Sequence, residues 1–140
     1  MHRKLWLLRL LWLSPVAAQE QAVFTLTVAI GDATGHGLKA GTMVASVKSL
    51  FMSLAYHPDI PHIFTRLSQT LKQMNLRGLF MALTIAKVKE NRLTISLAGM
   101  PPVWIYRATT QHIEEVALQQ LPLGGVTKYA YRQNEYDHIA

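Results

Sequence analysis

Apolar and polar positions change period along this chain, and each change predicts an element. From Gln21 to Ile30 nearly every position is apolar or carries a small hydroxyl, with Val23, Thr25, Thr27 and Ala29 on one side and Phe24, Leu26, Val28 and Ile30 on the other. Such a run predicts a strand, and its apolar character on both sides predicts burial on both faces. From Leu38 to Tyr56 the period becomes helical: Leu38, Val44, Val47, Leu50, Phe51 and Leu54 recur near that spacing. The small residues Ala40, Gly41, Ala45, Ser46 and Ser49 predict close packing on a sheet, and Met43, Phe51 and Met52 are expected in the core. His57-Pro58-Asp59-Ile60-Pro61 breaks the pattern. Asp59 is placed to cap a second helix, with Pro61 tolerated in its first turn. That helix carries Ile63, Phe64, Leu67, Leu71 and Met74 inward, and Asn75 to Gly78 ends it.

From Leu79 the period is two. Leu79–Lys89 and Arg92–Ala98 read as strands joined by a turn at Glu90-Asn91. Gly99 to Pro102 is a tight connection. Val103–Arg107 and Gln111–Val116 form a hairpin, with Val103 and Ile105 facing one way and Trp104 and Tyr106 the other. Tyr129–Tyr136 is a weaker edge strand. A buried strand, two helices and then an antiparallel meander predict an α+β layered fold.

The unusual chemistry lies between the first strand and the first helix. Gly31-Asp32-Ala33-Thr34-Gly35-His36-Gly37 holds three glycines and one carboxylate in seven residues. Glycines allow sharp turns and close approach to a ligand. A helix start offers N–H groups and a positive dipole end to an anion, and a carboxylate at a strand end is a hard-metal donor. The stretch points to a phosphate, a metal, or both. Asp32 capping the helix and His36 as a plain turn residue are the simpler structural alternatives, and Lys39 has the character of a solvated helix-start residue.

This motif, followed by a helix rich in small residues, resembles the PPM-type metal-dependent serine/threonine phosphatases, in the branch typified by sporulation protein E. Three later segments match in order. Phe80-Met81-Ala82-Leu83-Thr84 resembles the family's central strand. Ala98-Gly99-Met100-Pro101-Pro102 resembles its Ala-Gly-His-Pro-Pro turn, with Met100 in place of His. Leu121-Pro122-Leu123-Gly124 resembles its Pro-Leu-Gly segment. The resemblance implies an α-β-β-α sandwich, two Mn²⁺ or Mg²⁺ ions, and direct attack of a metal-activated water on a phosphoserine or phosphothreonine of a phosphoprotein in bacterial signalling. Asp32 matches the bridging carboxylate and the Ala33 carbonyl the backbone ligand beside it. Gly35, His36, Gly37 and Lys39 are the groups nearest a bound phosphate, with His36 the candidate acid. The family's earlier Gly-Gly-Asp strand has no counterpart here, since Glu20 is the only upstream acid and its spacing differs. Its later Asp-Gly strand end is also missing, because Asp137 is not followed by Gly. The chain is therefore expected to be a partial sandwich, truncated at both ends, over residues 21–140. A phosphatase-fold interaction module without catalysis is the alternative function.

Composition changes little. At 140 residues and 50% hydrophobic, the chain has material for one small core. It has no cysteine, which excludes disulfides and thiolate nucleophiles. The net charge of +6 is scattered, with no basic run beyond Arg3-Lys4 and no basic–aromatic interleaving, so no nucleic-acid partner is expected. Residues 1–20 have a basic start, an apolar stretch interrupted by Arg9, and small residues at Val16-Ala17-Ala18. That outline fits an export signal over residues 1–18 or a divergent start without targeting. The resemblance favours the second and a cytoplasmic protein, and the stretch is too short to span a membrane. Gly35-His36-Gly37-Leu38-Lys39-Ala40 also satisfies a dinucleotide-binding pattern. The antiparallel period after Leu79 and the Pro-flanked position of Asp59 argue against that reading.

Overall fold

The computed structural model of the protein describes residues 10–16 and 23–139. Strand β1 (Leu10–Val16) pairs antiparallel with β2 (Val23–Ala33), and helices α1 (Gly37–Leu54) and α2 (Ile60–Gln73) follow. The chain returns as β3 (Met81–Lys89) and β4 (Arg92–Ala98), the hairpin β5 (Val103–Arg107) and β6 (His112–Val116), and the short β7 (Asn134–Tyr136). One five-stranded sheet has the order β1-β2-β3-β4-β7, and β5-β6 forms a separate two-stranded sheet. Every strand pairing among the described residues is antiparallel, so the parallel βαβ unit of a dinucleotide site is not formed there. Strand β1 falls in the segment read as an export signal or divergent start; the rest of that segment lies outside the described residues. No helix among the described residues is long and apolar enough to cross a membrane.

The expected α+β order of a strand, two helices and a meander is present. Helix α2 follows the local rules closely. The Asp59 carboxylate accepts from the His62 N–H at 3.0 Å, a proline sits in the first turn, and Ile60, Ile63, Phe64, Leu67 and Leu71 are buried. Asn75 and Gly78, both at positive φ, terminate it. Helix α1 differs in detail from the expectation. Its buried stripe is Ala40, Met43, Val47 and Phe51, while Leu38 is 88% exposed and Gly41, Ala45, Ser49 and Met52 also face outward. Of the small residues Ala40, Gly41, Ala45, Ser46 and Ser49, Ala40 alone is fully buried. Helical period alone does not choose which of two partly apolar faces turns inward; the position of the sheet does.

Register sorts the large sheet into two faces. Thr27, Ala29, Gly31 and Ala33 of β2 stand opposite Lys87, Ile85, Leu83 and Met81 of β3, on the face covered by α1 and α2. Leu93, Ile95 and Leu97 of β4 point the other way, where Ile105 and Val116 of the hairpin cover them. The result is three layers: helices, large sheet, small sheet. Fully burying each side chain such as Phe64 or Ile63 stabilises the fold by about 1.5–3 kcal/mol. The expected burial of β2 on both faces is not found. Thr27 and Ala29 are buried, but Phe24 is 54% and Ile30 39% exposed. The core under the hairpin reaches Ala86 and Val88 of β3 and contains no β2 residue among those described, so over them the small sheet stops short of that strand.

Candidate functional site

Strand β2 runs three residues beyond the expected end at Ile30, so Gly31, Asp32 and Ala33 are sheet residues rather than loop. Gly31 is required there. A Cβ at this position would lie 2.8 Å from both Leu83 Cδ1 and the Ala82 carbonyl oxygen and would also meet Met81 Cε. Asp32 stands opposite Ala82, on the face away from the helices, and is half-buried. The capping alternative for it is not realised: the N-cap of α1 is His36, whose backbone is extended and whose side chain makes no cap bond. No acid occupies the first turn of α1, so its positive end meets no carboxylate of its own helix. Gly35 and Gly37 take φ +89 and +74, which turns the chain from strand into helix. His36 and Lys39 are both exposed on that turn.

The four motif segments meet at one end of the large sheet. Thr34 ties the turn to β3: its N–H donates to the Phe80 carbonyl at 3.0 Å, and its hydroxyl accepts from the Phe80 N–H at 2.7 Å. Beyond the end of β4, Leu123 takes the next place beside β3. The Met81 N–H donates to the Leu123 carbonyl at 3.1 Å, and the Leu123 N–H donates to the Met81 carbonyl at 2.8 Å. The Gly99 N–H donates to the Gln120 carbonyl at 2.9 Å, and Gly99 lies so close to Pro122 that a Cβ would sit 2.8 Å from the proline Cβ. Ser68 of α2 accepts from the Gly124 N–H at 3.0 Å and donates to the Val126 carbonyl at 3.2 Å. Thr34, Ser68 and Gln120 were not among the expected site residues. The alternation of polar and apolar positions carries a signal for Ser68, which falls on the buried stripe of α2. It carries none for Thr34, whose partner is 46 residues away.

Asp137 and Glu20, the two acids whose spacing does not match the family's other carboxylates, do not join Asp32 among the described residues. Asp137 pairs with Arg92 at 3.0 Å beside the β3–β4 turn, the opposite end of the ladder from Asp32. Glu20 lies outside the described residues. Met100 is half-buried against the core under the hairpin, and a thioether is a poor donor for a hard cation. No group of three His, Cys, Asp or Glu suited to a metal ion occurs among the described residues. Mn²⁺ and Mg²⁺ each want several oxygen ligands. Asp32 with a backbone carbonyl does not fit a pair of such ions. Two ladder pairs away on the same face, Thr84 stands opposite Ile30, and its buried hydroxyl has no partner among the described residues.

A helix pair over an antiparallel sheet, with a small second sheet behind it and an Asp-bearing strand running into a Gly-rich helix start, is a PP2C-type serine/threonine phosphatase fold. The chain belongs to the Stage II sporulation protein E (SpoIIE) family, whose model matches residues 24–138. Among solved structures it is similar to RsbX in complex with magnesium, at 20% identity and a TM-score of 0.68 over 93% of this chain and 60% of that one. It is also similar to the PP2C phosphatase domain of the cell fate determinant SpoIIE from Bacillus subtilis with a fragment of its regulatory domain. There the identity is 18% and the TM-score 0.62, over 92% of this chain and 37% of that one. A bacterial serine phosphatase carrying a point mutation matches at 9% identity and a TM-score of 0.65, over 94% of this chain and 72% of that one. The chain thus spans about three fifths of the length of RsbX. Comparison with curated protein sequences returns no match.

Proposed function

We propose that this chain is part of a metal-dependent phosphoserine/phosphothreonine protein phosphatase acting on a phosphoprotein in cytoplasmic bacterial signalling. The observation that carries the reading is the convergence of four separate motif segments around the Asp32 strand end, held by Thr34, Leu123, Gly99 and Ser68. In this reading Asp32 is the metal-directed carboxylate and the Ala33 carbonyl stands beside it. Gly35, Gly37 and the free positive end of α1 form the side that receives a phosphate, with His36 and Lys39 as the exposed cationic or proton-bearing groups of the turn. Mn²⁺ or Mg²⁺, when bound, neutralises phosphate charge and activates water. The described residues do not supply a full ligand set for either, so this reading requires further oxygen donors.

A second reading has its own support. One carboxylate at the site among the described residues, with Asp137 paired to Arg92, suits a phosphatase-fold module that binds a signalling partner without catalysis. Mn²⁺-dependent hydrolysis of a phosphoserine peptide by the purified chain, with Asp32→Asn as control, separates the two. The first reading expects metal-dependent turnover that Asp32→Asn abolishes. A folded chain without turnover at any Mn²⁺ concentration overturns it in favour of the second.

A further inference from the structure

At the end of the sheet away from Asp32, on the helix-covered face, a cavity of about 470 Å³ opens beneath the α1–α2 link. Lys87 of β3 lines it. This lysine is only 5% exposed, and its ammonium donates to the Thr27 hydroxyl at 3.2 Å and to the Ala55 carbonyl at the end of α1. No Asp or Glu among the described residues forms an ion pair with it. A buried cation held only by neutral acceptors is poorly compensated, because water that would solvate it has been removed. Desolvation accordingly lowers its pKa from 10.5 to about 8, which still leaves it mostly charged at neutral pH.

The other charged groups of the cavity do not relieve this. The Asp59 carboxylate caps α2 through the His62 N–H, and Glu135 accepts from Gln133 at 3.5 Å. Lys89, Arg92 and Glu135 line the exposed mouth; Arg92 is paired with Asp137, so Lys89 is the cation there with no ion-pair partner among the described residues, and a negatively charged ligand meets it before Lys87. Ala55, Tyr56 and Pro58 supply an apolar wall. We propose that this cavity binds a small organic carboxylate, with its charged head on the Lys87 ammonium and its apolar body against the α1–α2 link. The site is separate from the Asp32 turn and does not depend on the phosphatase reading.

Benzoate titrated into the full chain at neutral pH, with NaCl matching the ionic strength, tests the proposal. The lysine side-chain NMR signals report on Lys87. Saturable shifts of the Lys87 resonance are expected with benzoate and not with NaCl alone. The Lys87 titration should also move upward when the site is filled, because a nearby anion favours the charged amine. Lys87→Met, which keeps the volume and removes the charge, should weaken binding about tenfold or more, the loss of a charge-assisted hydrogen bond of about 1.4 kcal/mol. Thr94→Phe, which fills the cavity and leaves Lys87 in place, should abolish it. The proposal is overturned if benzoate gives no saturable shift, if NaCl reproduces the shift, or if binding survives either substitution.

Discussion

Gly99 and Gly78 have nearly the same left-handed backbone, φ +68 and +73, in different surroundings. A Cβ at Gly99 would lie 2.8, 3.0 and 3.1 Å from Cβ, Cα and N of Pro122, whereas at Gly78 nothing lies within 4 Å. Alanine at either position suffers the left-handed penalty of about 1–2 kcal/mol. At both it recovers about 0.4–1 kcal/mol because the unfolded chain is less flexible. Gly78→Ala should therefore lose about 1 kcal/mol. At Gly99 a further cost arises, since the colliding atoms belong to a proline ring and its backbone and cannot rotate away. Leu123, the next residue, is bound in both directions to Met81 and resists displacement. Overpacking of this kind costs about 1–3 kcal/mol, so Gly99→Ala should lose about 2–4 kcal/mol. Urea unfolding of both variants, followed by far-UV circular dichroism with unchanged m-values, measures the difference. Equal losses at the two glycines would refute the claim that the Leu121–Gly124 segment is held rigidly against the Gly99 turn.

Two further outcomes are expected. The folded-state pKa of Lys87, about 8, lies below its unfolded value of 10.5, so between these values the unfolded chain binds more protons and stability should rise with pH. Burial raises the pKa of Tyr131, which opposes the rise above about pH 10. Urea midpoints at pH 7.5, 8.5 and 9.5 check this, and Lys87→Met should flatten the profile; a flat wild-type profile would contradict it. Thr34→Val keeps the side-chain shape but removes the acceptor of the Phe80 N–H, so it should cost about 1 kcal/mol and speed hydrogen exchange at the Phe80 amide. Unchanged exchange there would show that the hydroxyl does not hold the turn to β3.

Elements governed by neighbouring residues were legible in the chain. Asp59 and Pro61 marked the start of α2, Glu90-Asn91 the turn between β3 and β4, and the alternation of Trp104 and Tyr106 against Val103 and Ile105 the two faces of the hairpin. Caps, turns and periods act over a few residues, so local sequence suffices for them. The order of the four motif segments was equally visible, and with it the phosphatase family. Lys87 was half legible: strand alternation puts it on the same face as Leu83 and Ile85, but not beside a cavity.

The rest depended on what lies across space. The outer face of β2 carries Phe24, Leu26, Val28 and Ile30, as apolar as a buried strand, yet Phe24 and Ile30 are exposed, because among the described residues the core under the hairpin draws on β3, β4 and β7 and not on β2. The chain turns Met43 and Phe51 of α1 inward and leaves Leu38 in water because the sheet lies on that side. Thr34 with Phe80, Gly99 with Pro122 and Ser68 with Gly124 are joined only when distant segments are brought to one end of the sheet. From Val23 onward the order of strands and helices and the glycine-rich link between β2 and α1 follow from short-range backbone preferences, whereas the pairing of β1 and the continuation of β2 through Asp32 do not. Which faces are covered, and the separation of Asp137 from Asp32, were decided by the tertiary structure, because burial and pairing depend on the neighbours that packing supplies.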